Sequence, residues 1–128
     1  MTNAERTRAF LHSLESRDGS AASFYAADVV QRELPNLLVK SGATRDREAL
    51  LRGMEAGKKS TSNERYEITN LIAEGDHVAV EALWSATLNV PFGSLAAGDT
   101  MRAHLAIFIT WRDGKIVGQR NYDCFEPF

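Results

Sequence analysis

From Met101 to Trp111 the chain reads Met-Arg-Ala-His-Leu-Ala-Ile-Phe-Ile-Thr-Trp, and no other stretch constrains the fold so tightly. Every second residue, Met101, Ala103, Leu105, Ile107, Ile109 and Trp111, is apolar. The intervening set of Arg102, His104, Ala106, Phe108 and Thr110 is mixed. Side chains on a strand alternate between its two faces. This is therefore a strand with one face in a core and the other facing water or a partner. Such a strand needs sheet neighbours and a covering layer.

The rest of the chain supplies both. Strands are expected at roughly 65–73, 77–90, 101–111 and 115–125, with tight turns at Glu74-Gly75-Asp76 and Arg112-Asp113-Gly114-Lys115. The link from Pro91 to Asp99 is longer and unusually apolar, with Phe92, Leu95, Ala96 and Ala97. Such a segment is expected to fold over a pocket mouth or to pack on a second subunit. Towards the N-terminus, Thr2 and Glu5 have the spacing of a capping box, and Phe10, Leu11 and Leu14 continue a helical stripe to about Ser16. Asp18 or Ser20 is suited to cap a second helix carrying Ala22, Phe24, Tyr25 and Ala26. Val29 to Leu34 reads as a short strand closed by Pro35. Gly42 and Thr44 open a third helix, with Asp46 and Glu48 in its first turn and Lys58 and Lys59 in its last. Its buried side carries Leu50, Leu51 and Met54. Three helices on one face of a curved, mainly antiparallel sheet make an α+β domain.

The last hairpin decides which face of β residues 115–125 looks inward. A two-residue turn at Asp113-Gly114 pairs Arg112 with Lys115 and puts Ile116, Gly118, Arg120, Tyr122 and Cys124 under the helices. A three-residue loop, with Gly114 as a bulge, pairs Trp111 with Lys115 and sets Leu105 opposite Asn121 and Ala103 opposite Asp123. It turns Val117, Gln119, Asn121, Asp123 and Phe125 inward. The second arrangement keeps Arg120 out of the core and is the expected one. It makes an apolar wall with a few polar groups at one end, the makeup of a small-molecule pocket.

A length of 128 residues fits one domain spanning 1–128. A net charge of -2 with scattered basic residues gives no footprint for nucleic acid or anionic lipid. No stretch approaches a membrane span, the N-terminus lacks an apolar leader, and a cytoplasmic location is the expectation. Cys124 is the only cysteine, so neither a disulfide within the chain nor a cysteine-based metal site can form. His12, His77 and His104 lack metal-ligand spacing, and Gly93 and Gly98 lack the context of a phosphate cradle. No metal and no cofactor are called for.

Gly75-Asp76-His77-Val78-Ala79-Val80, and above all Asp113-Gly114-Lys115-Ile116 followed by Arg120-Asn121-Tyr122-Asp123, resemble the SnoaL-like branch of the nuclear transport factor 2-like superfamily. The resemblance covers nearly the whole chain and implies a cone-shaped α+β barrel enclosing a pocket. Relatives include ketosteroid isomerase, limonene-epoxide hydrolase and polyketide cyclases, and dimers are frequent among them. The epoxide hydrolases have a carboxylate where Asn121 stands. Their second aspartate and its arginine fall on Trp84 and Ala82, and their tyrosine and asparagine before a proline fall on Gln31 and Glu33. The aspartate–arginine–aspartate set is missing, which argues against that mechanism.

The candidate catalytic residues are therefore Glu33, Asn121 and Asp123. Glu33, beside apolar walls, is suited to act as general base or acid, with Asn121 orienting substrate and Asp123 near the rim. Tyr25, Gln31, Trp84, Leu105 and Gln119 are expected to line the pocket. His104 falls on the outer face with Glu81, Arg102, Arg120 and Tyr122, a set suited to a homodimer interface. The expected ligand is a small apolar-to-amphipathic molecule bearing a carbonyl or hydroxyl, and the expected chemistry is cofactor-free isomerisation, cyclisation, dehydration or hydrolysis. A non-catalytic ligand-binding protein and a dimeric accessory domain are the competing readings.

Overall fold

A computed structural model describes all residues from Met1 to Phe128. Helix α1 spans Asn3–Ser16, and a short 3-10 turn spans Ser20–Phe24. Strands β1 (Tyr25–Glu33) and β2 (Ala43–Arg45) follow, then helix α2 (Arg47–Ser60). Four long strands complete the chain: β3 (Thr61–Glu74), β4 (His77–Leu88), β5 (Thr100–Arg112) and β6 (Lys115–Phe125). The six strands form one curved sheet in the order β2-β1-β6-β5-β4-β3. All neighbours are antiparallel except β1 and β6, which run parallel.

The class is α+β as expected, but with two α-helices rather than three. The expected second helix is only the 3-10 turn, because Tyr25 and Ala26 already belong to β1 and are buried in the sheet. Gly19, at φ +89°, starts that turn without any side-chain cap. The expected start of the last helix is also wrong: Ala43–Arg45 pair with β1 as strand β2, and Asp46 caps α2 by accepting from the Ala49 amide at 2.9 Å. The Thr2–Glu5 capping box on α1 is as expected, each side chain satisfying the other's backbone amide.

α1 lies across β3 and β4, and α2 reaches β1, β2 and β3. The apolar face of β5 is buried under this layer, with Ala103, Ile107, Ile109 and Trp111 all at 2 % exposure or less. Phe10, Leu11, Tyr25, Leu50 and Ile116 close the same core, while Leu14 and Met54 pack on it partly buried. Trp111 keeps its indole N–H satisfied by donating to Thr7 Oγ1 at 3.0 Å, and Thr7 in turn donates to Asn3 O.

The last hairpin combines parts of both anticipated arrangements. The turn is the two-residue Asp113-Gly114, with φ +51° and +75° and Arg112 opposite Lys115, so the expected three-residue loop is overturned. The bulge comes later. Trp111 faces Ile116 but Thr110 faces Gly118, which leaves Val117 as the extra residue. It returns Gln119, Asn121, Asp123 and Phe125 to the inner face. Ile116 rather than Val117 is therefore the inward residue nearest the turn. Leu105 faces Asp123 and Ala103 faces Phe125, each two residues from the expected partner. Arg120 stays outside, over the Phe108 ring at 5.4 Å.

Candidate functional site

A cavity of about 660 Å³ opens between the inner face of the sheet and the two helices. Its wall is mostly apolar, with one set of polar side chains where β1, β2 and β6 meet and a second, Arg17, Thr61 and Glu64, between α1 and β3. The parallel register of β1 and β6 assembles the first set: Gln31 lies beside Gln119 and Glu33 beside Asn121, with all four side chains lining the cavity. Asp123 follows two residues along β6, and β2 sets Arg45 opposite Gln31.

Glu33 faces the cavity, and both its oxygens are engaged. Oε1 accepts from Arg45 Nη1 at 2.7 Å and Oε2 accepts from Asn36 Nδ2 at 2.8 Å. The same Arg45 Nη1 donates to Gln31 Oε1 at 3.1 Å. Gly42 allows this corner to close, because at φ +66° a Cβ there would lie 2.7 Å from the Glu33 carbonyl oxygen.

Asp123 is in the opposite condition. Its Oδ1 is buried and accepts no hydrogen bond. Burial, reinforced by the Glu33 charge, pushes its carboxyl up to about 6, against the pull of Asn121 and Arg45. Along the same strand Gln119, only 5 % exposed, donates from Nε2 to Asn121 Oδ1 at 2.8 Å, while its own Oε1 is buried without a donor.

Two phenols share the cavity. Tyr25 was anticipated; Tyr66, on β3, was not. Burial pushes both hydroxyls up, and for Tyr66 the Glu64 and Asp123 charges add to the rise. Both therefore stay protonated at neutral pH and can donate. The alternation of Glu64, Tyr66 and Ile68 against Arg65 and Glu67 marks this face of β3 in the sequence. No comparable signal marks Arg45, on a three-residue strand.

Leu105 forms part of the apolar wall. Trp84 lines the cavity with its indole N–H committed to Glu64 Oε2 at 2.9 Å. Its ring meets Phe125 edge-on at 6.0 Å, Phe125 meets Phe128 at 5.9 Å, and Phe128 meets Phe92 at 5.2 Å. This aromatic chain ties the Pro91–Asp99 loop down at the cavity, which Phe92 lines. His104 is exposed on the outer face with its Nε2 at 3.2 Å from Glu126 Oε2, and Cys124, its cross-strand neighbour, is exposed there too. No group of three or more His, Cys, Asp or Glu is placed to hold a metal ion, and no helix is long and apolar enough to cross a membrane.

The same architecture occurs in solved structures of low sequence identity. IdmH from Streptomyces antibioticus, a candidate polyketide cyclase, is similar with a TM-score of 0.81 at 19% identity, over 96% of this chain and 92% of that one. A ketosteroid isomerase-like fold from Catenulispora acidiphila, in complex with trimethylamine, gives 0.75 at 20% identity over 94% and 86%. An LEH-like epoxide hydrolase of M. tuberculosis gives 0.71 at 16% identity over 96% and 81%. No curated protein sequence matches the chain. The sequence pattern of SnoaL-like domains matches residues 7–119, nearly the full length. The chain belongs to the SnoaL-like domain family.

Proposed function

We propose that this protein is a cofactor-free acid–base enzyme that moves a proton on a small, mostly apolar carbonyl compound held in the cavity. The observation that carries the reading is Asp123: a buried carboxylate oxygen without a hydrogen-bond donor, on a carboxyl pushed up to about 6. A base for neutral pH needs an affinity for protons near that range and a free lone pair. Glu33, which carried this role in the sequence reading, has neither oxygen free. It serves instead with Arg45 and Gln31 as a fixed polar wall.

In this mechanism Asp123 takes a proton from the carbon next to the substrate carbonyl. The electron pair moves onto the carbonyl oxygen as an enolate, to which Tyr25 or Tyr66 donates a hydrogen bond. Asp123 then returns its proton at a second position, which isomerises the compound. Alternatively, the enolate carbon attacks a second carbonyl of the same molecule, and the proton goes to the new alkoxide, which closes a ring. Ketosteroid isomerase, a known example of an environment-tuned aspartate, works on the same physical basis. The apolar walls favour either outcome by excluding water.

Proton–deuterium exchange into small cyclic ketones such as 2-tetralone tests the reading. The protein should accelerate exchange over buffer, with a rate that rises through pH 6. Asp123→Asn should lose at least about a hundredfold of it, the scale of a general base. A ligand-binding protein without catalysis would bind the ketone and leave exchange at the buffer rate. We also propose that two copies associate through the outer sheet face, where Phe108 and Tyr122 are 39 % and 42 % exposed among charged neighbours.

A further inference from the structure

The polar groups between α1 and β3 take no part in the proton transfer, and a bulge assembles them. Ser62 faces Thr87 and Arg65 faces Ser85, so β3 carries one extra residue there, with Asn63 at φ +53°. Thr61 and Glu64, three residues apart, both line the cavity as a result. Arg17, at φ +55° just past the end of α1, is held in place beside them. Its Nη1 donates to the Gly57 and Thr61 carbonyl oxygens at 3.3 and 2.6 Å, and its Nη2 donates to Thr61 Oγ1 at 2.6 Å.

Glu64 has one oxygen engaged and one open. Oε2 accepts from the Trp84 indole at 2.9 Å. Oε1 meets Arg17 Nε at 3.6 Å, near enough for charge attraction and too far for a hydrogen bond. The bonds to Gly57 and Thr61 keep Arg17 from closing that gap. The unpartnered side-chain oxygens that are sealed from solvent belong to Gln119 and Asp123. Glu64 Oε1 is not one of them, so a donor inside the cavity can reach it.

We propose that Glu64 Oε1 recognises a neutral hydroxyl at the end of the ligand remote from its reacting carbonyl. The proposal rests on the proton-transfer reading for where the carbonyl lies, and it narrows the substrate class to hydroxyketones with their polar groups well separated. A ligand ammonium would set a second cation beside Arg17. A ligand carboxylate would face Glu64, with Arg17 already donating to Gly57 and Thr61. Two strands, β4 and β5, lie between Glu64 on β3 and Asp123 on β6. Three steps of roughly 4.8 Å make about 14 Å along the sheet, and less across its concave face. Allowing for a hydrogen bond at each end, carbonyl and hydroxyl stand at most roughly 9 Å apart, a span suited to two fused six-membered rings.

The test uses 6-hydroxy-2-tetralone, 6-methoxy-2-tetralone, 8-hydroxy-2-tetralone and 2-tetralone, with binding followed by calorimetry. Wild-type protein should bind the 6-hydroxy compound about tenfold more tightly than the other three, the factor expected for one hydrogen bond to a carboxylate. The 8-hydroxy isomer carries its hydroxyl beside the reacting end and should gain nothing. Glu64→Gln keeps an acceptor for the Trp84 indole and puts an amide N–H2 in place of Oε1, so the preference over the 6-methoxy compound should vanish. A second readout needs only wild-type protein. The Trp84 indole N–H resonance, assigned by its loss in Trp84→Phe, should move further upfield with the 6-hydroxy than with the 6-methoxy compound, because two donors then share the carboxylate. Equal affinities for those two compounds, an equal gain from the 8-hydroxy isomer or no binding at all would each overturn the proposal. So would a preference retained by Glu64→Gln or an equal indole shift. Exchange at carbon enters none of these readouts. Hydroxyl-dependent binding without exchange would overturn the proton-transfer reading alone, and exchange without a hydroxyl preference would overturn this proposal alone.

Discussion

At the scale of single residues, Asp123 is a carboxyl group whose burial works against the folded state. Folding raises the Asp123 pKa from 3.8 to about 6, so the folded protein holds a proton that the unfolded chain releases earlier. The contribution of Asp123 to stability is then most favourable below 3.8, falls as pH rises towards 6, and is level above it. The full cost at neutral pH is about 3 kcal/mol. Asp123→Asn should therefore raise stability at pH 8 by on the order of 2 kcal/mol and change little at pH 4. Urea unfolding at the two pH values measures this, and equal effects at both would contradict the assignment. Thr7 is a residue of the opposite kind, buried to support another. Thr7→Val removes the acceptor for the Trp111 indole and should cost about 1–3 kcal/mol, whereas Thr7→Ser should cost far less. Thermal unfolding of the two variants distinguishes a lost hydrogen bond from lost packing.

Strand β6 is the element on which the site depends. Its two-residue turn alone would point Arg120 inward, and the bulge at Val117 reverses the assignment within the same strand. Deleting Val117 should turn Gln119, Asn121 and Asp123 outward and bring Arg120 under the helices. The expected result is failure to fold, read as lost far-ultraviolet dichroism or loss of cooperative unfolding. A well-folded deletion variant would show that the register is held elsewhere. The β1–β2 corner supplies a milder test. Gly42→Ala places a Cβ 2.7 Å from the Glu33 carbonyl oxygen and at a positive φ, so stability should fall by roughly 1–2 kcal/mol. Denaturant midpoints give the value.

For the whole molecule, the helices cover only one face of the sheet. The other face carries Phe108 packed edge-on against Tyr122 at 5.7 Å, with Arg120 over the Phe108 ring. Aromatic residues and arginine are enriched at interface cores, and a twofold contact would bury this cluster against its own copy. Sedimentation at micromolar concentration should report a dimer, and Tyr122→Glu should shift it towards monomer with the fold intact. A wild-type monomer at that concentration would rule out the interface.

Alternation along β5, the Thr2–Glu5 box and the charged ends of α2 are each local patterns. The class of the fold, the inward face of the central strand and a part of the cavity wall, including Tyr25, Gln31, Trp84 and Leu105, could therefore be read without a structure. Side-chain periodicity is a property of neighbouring residues and can be read from them directly. Three things were decided only in the tertiary structure. The Val117 bulge exists because Ile116 and Gln119 are both buried, and no local preference of Val-Gly announces that demand. The 3-10 turn replaces a helix because Tyr25 and Ala26 are needed in the sheet. The division of labour between two acidic residues depends on Arg45, which reaches Glu33 from a separate strand across the Pro35–Gly42 connection. Which carboxylate is paired and which is left bare is a property of contacts between distant segments, and that contact list does not exist until the chain has folded.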